Sequence, residues 1–388
     1  MFNIKTLNKI SPAGLDRFDR AKYAWSDDVE NPDAIMVRSA SMHDMEMPNS
    51  LLAIARAGAG VNNIPCDKCA EEGIVVFNTP GANANAVKEL VIMALLLSSR
   101  KIVPALDWVK TLKGKGDEVP KLVEKGKSQF VGPEIMGKKL GVIGLGAIGV
   151  LVANAATHLG MQVYGYDPYI SVDAAWGLSR NVIHAKTLKD IFENCDYITL
   201  HVPCTPDTKG MVNSESIATM KNGVRILNFS RGELVVTEDI LAALDDHKVK
   251  VYATDFVNDE LIEHTGVITL PHLGASTPES EDNCAVMAAS EIIEYLEKGN
   301  IRNSVNMPAA EMARTGDARL CVIHKNISGM VSQVTAICSD CGLNIENMLN
   351  KSRGEMAYTM IDVSGAVGDD VIAKAEAIDG IIRVRCIK

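Results

Sequence analysis

Three polar residues stand just beyond three short apolar runs, and their types make an acid–base and carboxylate-binding set. Arg231 follows the run 224–230, Glu260 lies five residues after Asp255 at the end of another run, and His272 follows the run 267–271. A guanidinium can grip a carboxylate in a bidentate fork and polarise a neighbouring carbonyl oxygen. An imidazole exchanges protons near neutral pH, and a carboxylate beside it orients the ring and favours its protonated form. Oxidation of a 2-hydroxy acid asks for all three groups: a hydroxyl proton and a hydride leave one carbon while the adjacent carboxylate is held. Taken singly, each residue has a bland explanation, as a structural histidine or a member of a surface ion pair. Their shared placement at strand ends, the edge where open α/β sheets bind ligands, favours the chemical one.

The hydride needs an acceptor, and a second motif supplies its seat. Gly144-Leu145-Gly146-Ala147-Ile148-Gly149 follows one apolar run and opens a helical segment reaching about residue 159. In that context the first glycine permits a tight turn, the second lets backbone approach a pyrophosphate, and the third allows close helix packing. The anion would sit on the helix N-terminus, where free N–H groups and the dipole favour it. With alanine at 147, those contacts rest on backbone alone. Asp167 ends the next run, 18 residues after Gly149. A carboxylate there accepts from a ribose 2′-hydroxyl and repels a 2′-phosphate, so NAD is expected over NADP. The competing explanation is a structural glycine turn with an acidic residue nearby.

These residues need a parallel sheet to position them. Runs at 140–144, 162–166, 197–202, 224–229, 251–256 and 267–270 are rich in Val and Ile and separated by helix-length segments. That pattern predicts a doubly wound α/β sheet. Shorter runs at 34–37, 52–56 and 75–78 suggest a smaller α/β domain. The helical segment 279–298, apolar at Val286, Ala289, Ile292, Ile293 and Leu296, is expected to return to it and make it discontinuous. The expected division is 1–98 with 275–306 for the small domain, 99–274 for the nucleotide domain, 307–317 as a linker and 318–388 as a compact βαββαβ unit.

At 388 residues the chain can hold several cores, and 47% hydrophobic with 23% charged residues fits an ordinary globular protein. A net charge of -10 argues against nucleic-acid and anionic-membrane partners, so any cationic site must be local. Residues 1–10 carry no apolar run of signal-peptide length, and the most apolar stretch, 90–97, is too short to span a bilayer. Nine scattered cysteines suit reduced thiols and a cytoplasmic setting. Two C-x-x-C pairs, Cys66/Cys69 and Cys338/Cys341, have no matching His pair nearby, so no metal is expected.

The motifs Asn228-Phe229-Ser230-Arg231-Gly232-Glu233, Asp255-Phe256-Val257-Asn258-Asp259-Glu260 and Pro271-His272-Leu273-Gly274 resemble the signatures of the D-2-hydroxyacid dehydrogenases. The resemblance covers nearly all of residues 1–306. It implies a flavodoxin-like substrate domain beside the Rossmann domain, Arg231 on the substrate carboxylate, His272 as acid/base and Glu260 as its partner. Val202, Pro203, Ser230, Asp255 and Gly274 would join the glycine motif and Asp167 around NAD. Arg56-Ala57-Gly58-Ala59-Gly60 and Asn78-Thr79-Pro80-Gly81 resemble substrate-domain loops, with Arg56, Ala59 and Gly60 facing substrate. Within the family, Val37-Arg38-Ser39-Ala40 is similar to the phosphate-facing loop of members that oxidise 3-phosphoglycerate in serine biosynthesis. Arg38, Ser39 and Asn83 would then hold the phosphate of a phosphorylated 2-hydroxy acid.

Residues from about 318 resemble an ACT domain, a module that often binds amino acids between paired copies. His324-Lys325-Asn326 and Gly342-Leu343-Asn344 match serine-binding positions of regulated family members, implying L-serine as effector in a homodimer or homotetramer. The alternative is a dimerisation module without a ligand. For the whole chain, a hydroxypyruvate or glyoxylate reductase would share Arg231, Glu260 and His272; the Arg38 loop and the terminal module argue against it. A non-catalytic NAD-sensing regulator would share the fold; the acid–base pair argues against that.

Overall fold

A computed structural model describes residues 1–388. The chain forms two compact units, one of residues 1–83 with 278–388 and the other of residues 84–277.

The second unit is a seven-stranded parallel sheet. In chain order its strands are Lys139–Ile143, Gln162–Tyr166, Ile183–His184, Tyr197–Leu200, Val224–Asn228, Val249–Thr254 and Val267–Thr269. Their spatial order is 3-2-1-4-5-6-7, the dinucleotide-binding arrangement with one added edge strand. The order reverses between Lys139–Ile143 and Tyr197–Leu200, whose register pairs Ile143 with Leu200. Strands buried on both faces need apolar residues at every position, which is why Tyr197–Leu200 is wholly buried. The two-residue strand Ile183–His184 is exposed, and no apolar run marks it in the sequence.

The first unit begins with a five-stranded parallel sheet: Phe2–Leu7, Tyr23–Ser26, Ala34–Val37, Ala53–Arg56 and Val75–Phe77. Its order is 2-1-3-4-5, the flavodoxin-like winding. The helix Pro278–Lys298 returns to this sheet and buries Ala285, Ala288, Ile292 and Tyr295 in the same core as Ile4, Met36 and Phe77.

The C-terminal segment has the expected βαββαβ order. Strands Ala318–Lys325, Asn344–Arg353, Met356–Ser364 and Ile381–Ile387 form an antiparallel sheet, with helices Met330–Asp340 and Asp369–Glu376. One face packs Leu320, Val322, Ile361 and Val363 against Val334, Cys338 and Val371 of the helices. The other carries Cys321, Ile323, Tyr358 and Met360 into the core around Phe77 and Tyr295. This module is therefore a layer of the first unit rather than a separate body.

Polar contacts reinforce that layer. Arg319 grips both oxygens of Asp362, at 2.6 and 2.8 Å, and neither side chain reaches solvent. Arg319 also donates to the Lys298 carbonyl at 2.7 Å, and Tyr358 donates to that of Gly299 at 2.7 Å, so the module closes the C-terminal end of the long helix. Removing one partner of such a buried pair strands the other's charge and costs about 3–5 kcal/mol.

Two expected boundaries move. The helix Ala84–Ser99 groups with the second unit because it packs on the helix Ala147–His158 and the strands Val224–Asn228 and Val249–Thr254. The expected linker 307–317 is only partly solvated. Met307 and Ala310 are buried, Ala310 bridges Ile301, and the Thr315 N–H donates to Asp362 at 2.8 Å. Small residues placed there for packing read, in sequence, like a spacer. No helix is long and apolar enough to cross a membrane.

Candidate active site

The glycine motif lies at the switch point of the seven-stranded sheet. Gly144 has φ +90°, and a Cβ there would come 2.5 Å from the His201 carbonyl oxygen. A Cβ on Gly149 would come 1.9 Å from the Gly144 oxygen, so any side chain would force the turn and helix apart. Around Gly146 there is open space. The helix Ala147–His158 starts at that residue with no side-chain cap, which leaves the first N–H groups, those of Ala147 and Ile148 included, for an anion.

Asp167 follows the strand Gln162–Tyr166, and its two oxygens accept from the N–H groups of Leu145 and Tyr169, both at 2.8 Å. These bonds fix the carboxylate beside the glycine turn and leave lone pairs for a ribose hydroxyl. Just past the strand Tyr197–Leu200, the Val202 carbonyl accepts a 2.7 Å hydrogen bond from Ser230 Oγ, tying two neighbouring strand ends together; Pro203 is exposed beside it. His201 immediately precedes Val202. Burial pushes its imidazole down to about 4, Nε2 lies 3.0 Å from Thr199 Oγ1, and Nδ1 is buried without a partner.

The three acid–base candidates occupy consecutive strand ends of this same unit. Arg231 is exposed after Val224–Asn228; its Nη1 donates to the Ser230 carbonyl at 2.6 Å. Its own carbonyl is held by Asn228 Nδ2 at 2.8 Å, and Asn228 is fully buried. Asn228 is thus a positioning residue that the reasoning from residue types alone did not single out. Glu260 is exposed in the turn Asp259–Leu261. His272 is exposed and lies against the Phe256 ring, centroids 4.9 Å apart.

The structure does not join Glu260 to His272 by a hydrogen bond or ion pair; the carboxyl on which the His272 charge acts is that of Asp255. Asp255 is 3% exposed, and burial pushes its carboxyl above the usual carboxylate range while the His272 charge pulls it back. Oδ2 accepts from the Gly274 N–H at 3.3 Å, and Oδ1 is buried with no partner. A buried, unpaired carboxylate oxygen costs stability and suits an incoming N–H donor such as a carboxamide. The donor set, the uncapped helix and this orphaned oxygen together fit a nicotinamide dinucleotide. Bound there, it would supply the hydride acceptor.

The residues expected to face substrate from the first unit form a separate, internally bonded loop cluster. Arg38 ends the strand Ala34–Val37, and Ser39 is exposed next to it. Asn8, with φ +67°, uses its side-chain oxygen to accept from the N–H groups of Ser39 and Ala40, at 3.1 and 2.6 Å. Arg56 Nε donates to the Arg38 carbonyl at 3.1 Å. Asn78 Nδ2 donates to the Ala59 carbonyl at 2.6 Å, fixing the turn that includes Gly60. Asn83 is half-buried just before the helix Ala84–Ser99. The Arg38 guanidinium is already engaged, with Nη2 2.8 Å from Glu281 Oε1.

The three effector candidates share no hydrogen bond with one another in the single chain. His324 is buried, with Nδ1 2.8 Å from the Lys325 carbonyl and Nε2 2.8 Å from Thr359 Oγ1. Asn326 and Asn344 are exposed and donate to the Gly354 carbonyl at 3.1 Å and to Glu346 at 2.7 Å.

The model for the D-isomer specific 2-hydroxyacid dehydrogenase NAD binding domain matches residues 92–274. The chain is 32% identical to a D-3-phosphoglycerate dehydrogenase from Escherichia coli K12, with 99% of this chain and 95% of that protein aligned. For the Haemophilus influenzae protein of that name the values are 31%, 98% and 94%. The chain spans only 65% of the Bacillus subtilis relative and 50% of the Synechocystis one, which are longer proteins. Among solved structures, an NAD+-bound 3-phosphoglycerate dehydrogenase from Entamoeba histolytica superposes with a TM-score of 0.61 at 25% identity, covering 79% of this chain and 98% of that one. A glyoxylate reductase from Paecilomyes thermophila superposes at 0.64 with 20% identity over 78% of this chain and 98% of its own, a likeness of fold. A dinucleotide turn with its acidic neighbour, together with alignment along nearly the full length of two relatives, makes this chain an NAD-dependent member of the D-isomer specific 2-hydroxyacid dehydrogenase family.

Proposed function

We propose that the chain oxidises D-3-phosphoglycerate to 3-phosphohydroxypyruvate, the first step of L-serine biosynthesis, in the cytoplasm. The observation that carries this reading is the alignment with two enzymes of that name over 94–95% of their length, the C-terminal module included. In the mechanism, the exposed Arg231 guanidinium forks onto the substrate carboxylate and polarises the developing carbonyl. His272 accepts the hydroxyl proton, and the Asp255 carboxylate stabilises the imidazolium that results. Glu260 joins as a second carboxylate once its turn brings it to the ring. Gly144 through Gly149 hold the pyrophosphate, Asp167 the adenosine ribose, and Asp255 with Gly274 the nicotinamide. Arg38, Ser39 and Asn83 hold the phosphate, and Arg56, Ala59 and Gly60 shape the adjoining loop.

L-Serine is the proposed feedback effector, bound by His324, Asn326 and Asn344 at an interface between two copies, where groups separate in one chain can converge. Assembly as a homodimer or homotetramer has further support in the helix Ile102–Lys110. It buries none of its side chains and leaves Leu106 and Val109 more than half exposed.

The test is NADH formation with D-3-phosphoglycerate, repeated with Arg38→Ala and with L-serine. Turnover that the substitution weakens mainly through KM and that serine suppresses is the expected result. An inert phosphoglycerate beside reduction of glyoxylate or hydroxypyruvate would leave the family and remove the substrate. The Arg38–Glu281 pair is what favours that second reading, since a neutralised guanidinium suits an unphosphorylated substrate.

A further inference from the structure

We infer that Glu281 is a built-in counter-ion that holds Arg38 until an anionic ligand displaces it, and so lowers the affinity of this site for phosphate. The inference rests on the reading of Arg38 as a phosphate ligand. It starts from one contact, Arg38 Nη2 to Glu281 Oε1 at 2.8 Å, made between residues 243 positions apart in sequence.

The two halves of this contact are anchored differently from their tips. The backbone around Arg38 is clamped: Asn8 accepts from the N–H groups of Ser39 and Ala40, Arg56 donates to the Arg38 carbonyl, and Asn63 Nδ2 donates to the Ala40 carbonyl at 2.8 Å. Glu281 stands in the first turn of the 21-residue helix Pro278–Lys298. That position stabilises a carboxylate, because the helix N-terminus carries partial positive charge. The side chains themselves are 38% and 44% exposed, so the ion pair is screened and readily exchanged. A fixed loop with a movable guanidinium, facing a fixed carboxylate, is a two-position arrangement.

What can open it follows from charge. A phosphate monoester carries close to two negative charges at neutral pH and offers three acceptor oxygens to a guanidinium fork. It out-competes a single carboxylate, and Arg38 turns from Glu281 to the ligand. A hydroxymethyl or methyl group at the same end of a substrate offers nothing to exchange, and the pair stays closed. Every anion that must displace Glu281 loses affinity by the same factor, so the carboxylate sets how tightly Arg38 holds phosphate and not which anion it prefers.

The test uses the full chain and inorganic phosphate as the probe, so that it does not depend on which 2-hydroxy acid is turned over. Phosphate affinity would be measured by isothermal titration for wild type, Glu281→Gln, Glu281→Asp, Arg38→Ala and the Arg38→Ala/Glu281→Gln double variant. Removing the competitor is expected to tighten phosphate binding about threefold to fivefold, the scale of an exposed ion pair. Glu281→Asp should keep part of the wild-type weakness, and the double variant should lose the gain entirely. Turnover then separates this inference from the reading beneath it. An Arg38→Ala chain with unchanged KM for phosphoglycerate would remove Arg38 as the phosphate ligand. A raised KM in Arg38→Ala beside unaltered phosphate affinity in Glu281→Gln would overturn the counter-ion role alone. A gain that persists in the double variant, or phosphate binding by none of the chains, would also overturn it.

Discussion

Asp255 and His272 are coupled through space: the imidazole's charge acts on a carboxyl that burial otherwise pushes upward. The Gly274 N–H, two residues beyond His272, fixes the carboxylate with a 3.3 Å hydrogen bond. Two neighbouring strand ends are thereby locked together, with the Asp255 carboxyl held close to the His272 ring.

Asp255→Asn keeps the shape and removes the carboxylate. Oxidation is expected to slow by about tenfold or more, because the imidazolium formed on proton transfer loses its counter-charge, and an unchanged kcat would show that Asp255 does not assist His272.

The carboxylate of Asp167 bridges the N–H groups of Leu145 and Tyr169, which fixes it beside the glycine turn where the proposed ribose contact would be made. Asp167→Asn retains one acceptor and loses the repulsion toward a 2′-phosphate. The ratio of kcat/KM for NAD over NADP is expected to fall by about tenfold or more. An unchanged ratio, measured in a chain of unaltered stability, would place cofactor selection elsewhere.

The helix Pro278–Lys298 carries a buried acid, Glu291, 5% exposed. Asn303 donates to Oε1 at 2.7 Å, Oε2 is buried without a partner, and burial pushes the carboxyl up to about 8. Because the folded-state value lies above the ordinary 4.5, the folded chain holds a proton that the unfolded chain has released. Its stabilising share is complete below about 4.5 and is lost as pH rises toward about 8. Glu291→Gln keeps the Asn303 contact without a titrating group. Urea denaturation is expected to show the variant gaining about 3–4 kcal/mol over wild type at pH 8 relative to pH 5. Parallel pH dependences would contradict this.

Much of the fold is legible in the sequence because buried parallel strands announce themselves as continuous apolar runs. Ala34–Val37 and Val75–Phe77 are of that kind. Phe2–Leu7 is not: polar Asn3, Lys5 and Thr6 interrupt it, and only Ile4 is buried, so no run marks it. The glycine turn is legible because its requirements are local, a positive φ at Gly144 and a contact with Gly149 five residues on. Contacts set by tertiary packing leave no such trace. Asn8 shaping the loop at Ser39 and Glu281 against Arg38 join residues that no spacing rule connects. The C-terminal module's elements could be counted from their periodicity, but not its burial against Tyr295, which turns an expected satellite into a layer of the first unit.

The central claim is that this chain is a dehydrogenase whose proton is taken by His272 while NAD is held by the glycine turn. The most direct measurement is NADH formation from D-3-phosphoglycerate by wild type and His272→Ala, with NAD affinity determined for both by titration. Turnover in the variant is expected to fall by about 10²–10⁴-fold while NAD affinity stays within about twofold. Unchanged turnover in His272→Ala, with NAD bound as before, would contradict the account.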